Sequence, residues 1–103
     1  MILEHAVLTV APERVAEFEA AMREALPLIA ATPGFLWLEV RPCLESPGRY
    51  LLLVRWRSLE DHTIGFRRSD RYQQWRALLH HFYDPFPVVE HYGEAVARAG
   101  EKP

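Results

Sequence analysis

Cysteine is almost missing from this chain. Cys43 stands alone, so no disulfide can close within it, and a reducing compartment fits that usage. Lysine is nearly missing as well: eleven arginines and one lysine face fourteen acidic residues, and the net charge of -2 leaves no broad basic field. Nucleic acid is therefore not expected as a principal partner. The one basic cluster, Arg67-Arg68 followed by Arg71, reads as a solvated helix face. No apolar run approaches the about 18 to 20 residues a membrane span requires, and no basic leader with an apolar run follows Met1. The expectation is a soluble cytoplasmic protein with no membrane contact. No Gly-rich phosphate loop, Ser-centred elbow or nucleotide fingerprint occurs either. His80 and His81 invite a metal reading with His91 or Asp84. Adjacent helical residues point about 100° apart, and no zinc-type ligand spacing is present, so no metal is expected.

What the chain has is apolar and aromatic surface. Half of its 103 residues are hydrophobic and 12% are aromatic, enough for one core and too little for two. Residues 1–103 are read as a single domain with a peripheral tail from about residue 93. The segment Ile2 to Val10 alternates as a strand, with Leu3, His5, Val7 and Thr9 on one face and Ile2, Glu4, Ala6, Leu8 and Val10 on the other. Pro12 suits a first helical turn, and Val15, Phe18, Met22, Ala25 and Ile29 make one apolar stripe. Pro27 should kink or tighten the last turn, and Thr32-Pro33-Gly34 ends the helix.

Phe35 to Arg41 and Arg49 to Trp56 read as an antiparallel hairpin across a turn-rich loop. Ser58 with Asp61 resembles a capping box, placing Leu59, His62 and Phe66 on one helical face. Gly65 and Ser69-Asp70 should bend or restart the helix, after which Tyr72, Trp75, Leu79 and Phe82 form a second stripe. Val88 to Tyr92 reads as a last strand, Glu94 to Ala99 as a possible helix, and Gly100 to Pro103 as a frayed end. The order β-α-β-β-α-β predicts an α+β, ferredoxin-like fold: an antiparallel four-stranded sheet with helices on one face. Leu51 to Val54 gives the sheet no polar face, so a sheet-to-sheet homodimer is expected.

The run Trp56 to Trp75, the segment Pro85 to Tyr92, Glu4-His5 and Thr32-Pro33-Gly34 together resemble the antibiotic biosynthesis monooxygenase family. The "Trp-x-Ser-x-x-x-His-x-x-x-Phe-Arg-x-Ser" helix entry carries most of that likeness. The resemblance implies a dimeric α+β barrel and covers nearly the whole chain. It does not fix an activity, because the family includes cofactor-independent quinone-forming monooxygenases, haem-degrading enzymes and members with no assigned reaction. The haem-degrading branch implies an Asn, a Trp and a His ligand where this chain has His5, Phe66 and Trp75. An indole cannot bind iron, so that branch is disfavoured; His62 or His80 would have to serve instead, and nothing in the sequence argues for it.

Oxygenation without a cofactor needs a substrate that itself reduces O₂, such as an electron-rich phenol, held in an apolar pocket and deprotonated there. His62 is the first candidate for the proton step and His5 the second, which the resemblance places between helices and sheet. Phe66, Tyr72, Trp75 and Trp56 are the candidate substrate contacts. The expected reaction is monooxygenation of a small aromatic or quinol-like compound, with no bound cofactor. A non-catalytic binder of a small apolar metabolite and a purely structural dimerisation module, in which those aromatics and histidines only complete a core, are the rivals.

Overall fold

Strand β1 (Ile2–Thr9) leads through a 3₁₀ turn, Pro12–Arg14, into helix α1 (Val15–Ala30). A hairpin of β2 (Phe35–Pro42) and β3 (Arg49–Trp56) follows, then a π turn over Asp61–Phe66, helix α2 (Asp70–Leu79), a 3₁₀ turn at His80–Phe82 and a short β4 (Glu90–Tyr92). The computed structural model describes residues 1–100. The sheet order is β2-β3-β1-β4, every pair antiparallel, which is the ferredoxin-like α+β arrangement.

The period-2 pattern of β1 and β3 decides which side chains the helices cover. Ala6, Leu8, Val10, Tyr50, Leu52, Val54 and Trp56 are buried with Phe18, Met22, Ala25 and Ile29 of α1 and Trp75 and Leu79 of α2. Burying Phe18, Ile29, Phe66 or Leu79 stabilises the fold by about 1.5–3 kcal/mol each, well above the about 0–1 kcal/mol of an exposed ion pair such as Arg23–Glu19. The opposite sheet face carries Leu3, His5 and Val7 from β1 and Leu51 and Leu53 from β3, none of them covered by a helix.

Three local expectations are corrected, and β2 carries an irregularity that no periodicity announces. The alternation of β2 breaks at a register shift between Phe35 and Trp37. This bulge turns Phe35 toward Trp56, its ring edge-on at 5.8 Å, and leaves Leu36 exposed. Leu59 is also exposed and does not share the buried face of His62 and Phe66. The last strand begins only at Glu90. Residues 93–100 are exposed and not helical; Glu94 instead accepts a hydrogen bond from the Met1 ammonium at 3.0 Å. Of the expected frayed end, residues 101–103 lie outside the described residues.

Both helix starts near the centre of the chain are built as their side chains dictate. Ser58 Oγ accepts from the Asp61 amide at 3.2 Å, and Ser69 Oγ accepts from the Tyr72 amide at 3.2 Å, capping α2. Between them the Arg67 amide reaches back five residues to the His62 carbonyl at 3.1 Å. That wider turn sets His62 and Phe66 inward together. Gly34, with φ +88°, packs its α-carbon against the Asp61 side chain, where a Cβ would collide.

Candidate functional site

A cleft of about 370 Å³ opens between the helix-facing side of the sheet and α2. Ala6 and Leu8 of β1, Leu52 of β3 and Ile29 of α1 line it from the core, and Phe66, Tyr72 and Trp75 line it from the helical side. Phe66 holds the rings of Tyr72 and Trp75 edge-on, at 5.4 and 5.7 Å. The volume suits one small aromatic molecule. Glu4, His62, Arg67 and His80 also line it and, with the Tyr72 and Tyr83 hydroxyls, make up its ionisable part.

Glu4 is a carboxylate in the core, only 5% exposed. The Trp56 indole Nε1–H donates to Glu4 Oε1 at 2.9 Å. His62, itself 3% exposed, brings Nε2 to 3.3 Å from the same oxygen, and its Nδ1 lies 2.7 Å from His91 Nε2. Trp56 stacks on the His62 ring at 5.2 Å and 18°, which fixes the imidazole plane. An indole N–H can only donate, so Glu4 Oε1 is an acceptor. His62 therefore faces Oε1 with its Nε2–H, a close electrostatic contact without hydrogen-bond alignment, and its Nδ1 lone pair accepts the Nε2–H of His91.

Electrostatics follow from this burial. Desolvation lowers the His62 pKa to about 3, helped by the charge of Arg67 and by His91, so the ring is neutral. Burial raises the Glu4 carboxyl above its ordinary range, against the opposing Trp56 hydrogen bond and Arg67 charge. His91 and His80 are both pushed down, chiefly by burial. A carboxylate made more basic by burial, beside an arginine, can accept a proton from a bound acid and leave the resulting anion near a cation.

Of the residues singled out from the sequence, His62, Phe66, Tyr72 and Trp75 come together at the cleft. Trp56 is fully buried behind His62 and touches Glu4 rather than the cleft space. The expected position of His5 between helices and sheet is corrected: it projects from the other face of β1, edge-on to Tyr92 at 5.8 Å and beside a separate hollow with Val7, Thr9 and Phe86. The alternation that buries Glu4, Ala6 and Leu8 sends His5 the opposite way.

Sequence reasoning gave Glu4, Arg67 and Tyr83 no place in a site, and weighed His80 and His91 only as metal or iron ligands. A lone carboxylate on the face of Ala6, Leu8 and Val10 was the available signal for Glu4. Arg67 is exposed, as the solvated-face reading has it, and also lines the cleft. The positions that the haem-degrading branch would use do not fit iron: Phe66 and Trp75 offer no ligand atom, and His62 is buried with Nδ1 bonded to His91 and Nε2 against Glu4. Glu4, His62 and His91 are joined head to tail, and among the described residues no set of three such side chains converges on a metal position. Nor is any described helix long and apolar enough to cross a membrane.

The comparisons agree with this architecture. The family model for antibiotic biosynthesis monooxygenases matches residues 1–78. An uncharacterised Bacillus subtilis protein, YczJ, is 49% identical over 92 residues, which span 89% of this chain and 97% of YczJ. A Bordetella bronchiseptica structure, described as a candidate antibiotic biosynthesis monooxygenase, superposes with a TM-score of 0.86 at 34% identity, covering 92% of this chain and 97% of its own. A Streptomyces coelicolor monooxygenase in complex with nanaomycin D shares the fold at a TM-score of 0.80 and 16% identity, over 97% of this chain and 92% of that one. The chain belongs to the antibiotic biosynthesis monooxygenase family.

Proposed function

We propose that the protein is a monooxygenase of small, electron-rich phenols or hydroquinones, working without a bound cofactor. The observation that carries this reading is the cleft of about 370 Å³ whose aromatic walls meet a buried Glu4–His62 pair beside Arg67. Phe66, Tyr72 and Trp75 would hold the ring. The substrate hydroxyl loses its proton to the Glu4–His62 pair, and Arg67 stabilises the phenolate. The electron-rich ring then reduces O₂, forming a carbon–oxygen bond at a ring carbon that carries hydrogen. The O–O bond breaks as that carbon loses its proton. One oxygen atom stays as the quinone carbonyl and the other leaves as water, so phenol and O₂ yield quinone and water with four electrons transferred. His5, on the far face of the sheet, takes no part in this scheme.

The uncovered face with Leu3, Val7, Leu51 and Leu53 supports a sheet-to-sheet homodimer. The lone Cys43 supports a cytoplasmic setting. Oxygen uptake with a naphthohydroquinone tests the activity. A pure binding protein would instead be stabilised by the same compound while consuming no O₂ above the uncatalysed rate.

A further inference from the structure

The two oxygens of Glu4 are in unequal positions. Oε1 accepts the Trp56 indole N–H at 2.9 Å and has His62 Nε2 beside it at 3.3 Å, a close electrostatic contact without hydrogen-bond alignment. Oε2 receives no hydrogen bond among the described residues, yet it is not among the fully buried polar atoms that lack a partner. Glu4 lines the cleft, so with Oε1 held from behind, Oε2 is the oxygen that meets it. His62 is not placed to take that proton: with its Nδ1 lone pair filled by His91 at 2.7 Å, the neutral ring carries its hydrogen on Nε2, facing Glu4 Oε1. Protonating His62 would break the His91 contact and place a cation in a buried site already near Arg67.

We infer that Glu4 is the catalytic base, accepting the substrate proton at Oε2, and that His62 is a positioning residue that fixes the carboxylate through Oε1. This rests on the cleft being a site for an ionisable aromatic. In the step itself the substrate O–H bond breaks, its electron pair stays on the phenolic oxygen, and the proton forms a bond to Oε2. His91 completes the assembly by holding His62 in the tautomer whose Nε2–H faces Glu4, and Trp56 supplies the hydrogen bond to Oε1. The titratable and charged groups facing Glu4 around the cleft are His62, His91, Arg67, Tyr72, His80 and Tyr83. Only Arg67 among them is positively charged at neutral pH, and it favours ionised substrate without accepting a proton.

The test is binding of 4-nitrophenol, whose neutral and ionised forms differ in colour, at a mildly acidic pH where the free probe is mostly neutral. The wild-type protein is expected to bind it and raise its ionised fraction. Glu4→Gln, checked as folded by circular dichroism, is expected to bind the probe with the ionised fraction reduced about tenfold, one pKa unit of lost coupling. Glu4→Asp, which keeps a carboxylate, recovers part of it. His62→Gln, whose amide N–H can still face Oε1, keeps the ionisation and shifts its pH midpoint. The inference is overturned if the wild type leaves the probe neutral or unbound, if Glu4→Gln still ionises it, or if His62→Gln loses ionisation as completely as Glu4→Gln does. Oxygen uptake on the same preparations separates the two readings: probe ionised without turnover of a hydroquinone removes the oxygenase reading and leaves Glu4 as the proton acceptor.

Discussion

Glu4 on β1 and His91 on β4 are register partners in the sheet, and His62 spans the two, 3.3 Å from Glu4 Oε1 and 2.7 Å from His91 Nε2. A strand of only three residues, Glu90–Tyr92, thus supplies the outer hydrogen bond of the buried pair. Replacing His91 by Phe leaves His62 Nδ1 as a buried acceptor without a donor. The expected loss is about 1–3 kcal/mol, read as a lower urea midpoint with an unchanged slope. His91→Gln, which restores an N–H, should recover most of it. Equal midpoints for wild type and His91→Phe would show that the contact contributes nothing.

The His62 pKa, lowered from 6.5 to about 3, sets a pH dependence. Between those values the unfolded chain binds a proton that the folded chain does not, so stability is present above about pH 6.5 and lost as the pH falls. From pH 7 to 5 the loss from His62 is about 2 kcal/mol. His80 and His91, also lowered, act in the same direction. Glu4, raised, acts in the opposite one: it binds its proton more readily when folded, which adds stability as the pH drops toward 4.5. Comparing the wild type with His62→Gln isolates the His62 part. The wild type should lose about 2 kcal/mol more than the variant over that range in chemical denaturation, and parallel curves would contradict it.

Val89 lines the cleft and is only half-buried. Val89→Trp should fill the space with little strain on the core and weaken binding of a small phenol about tenfold or more, a cost of about 1.4 kcal/mol. Calorimetric titration measures the affinity, and a thermal melt within a few degrees of wild type shows that the fold is kept. Unchanged affinity would place the ligand elsewhere.

Leu53 sits on the uncovered sheet face, opposite His5 in the register. If that face is the dimer interface, Leu53→Asp buries a charge against apolar neighbours and should give a monomer at micromolar concentration. Sedimentation velocity distinguishes the masses. A wild type that sediments as a monomer would contradict the assignment of this face.

The parts legible in the sequence were those governed by simple periodicity. The stripe Phe18, Met22, Ala25 and Ile29 and the strand Arg49–Trp56 fall where a period of 3.6 or 2 puts them. The bulge at Phe35 and the π turn at Asp61–Phe66 have no periodic signature, so the exposure of Leu36 was not legible and Leu59 was misread as sharing the face of His62. At the site, aromatic residues at helical spacing led to Phe66, Tyr72 and Trp75. The buried cluster of Glu4, Trp56, His62 and His91 was not legible, because these residues come from four separate segments that meet only in the fold. His5 drew attention as an imidazole among apolar residues, yet strand alternation alone sends it away from Glu4's face.

Oxygen consumption by the purified, chelator-treated protein with a naphthohydroquinone, beside Glu4→Gln, tests the central claim most directly. Uptake of one O₂ per quinone formed is expected, saturable in substrate, with a rate lowered by about 10² or more in Glu4→Gln. Wild-type uptake no faster than the uncatalysed reaction across a series of phenols and hydroquinones that bind the cleft would contradict it.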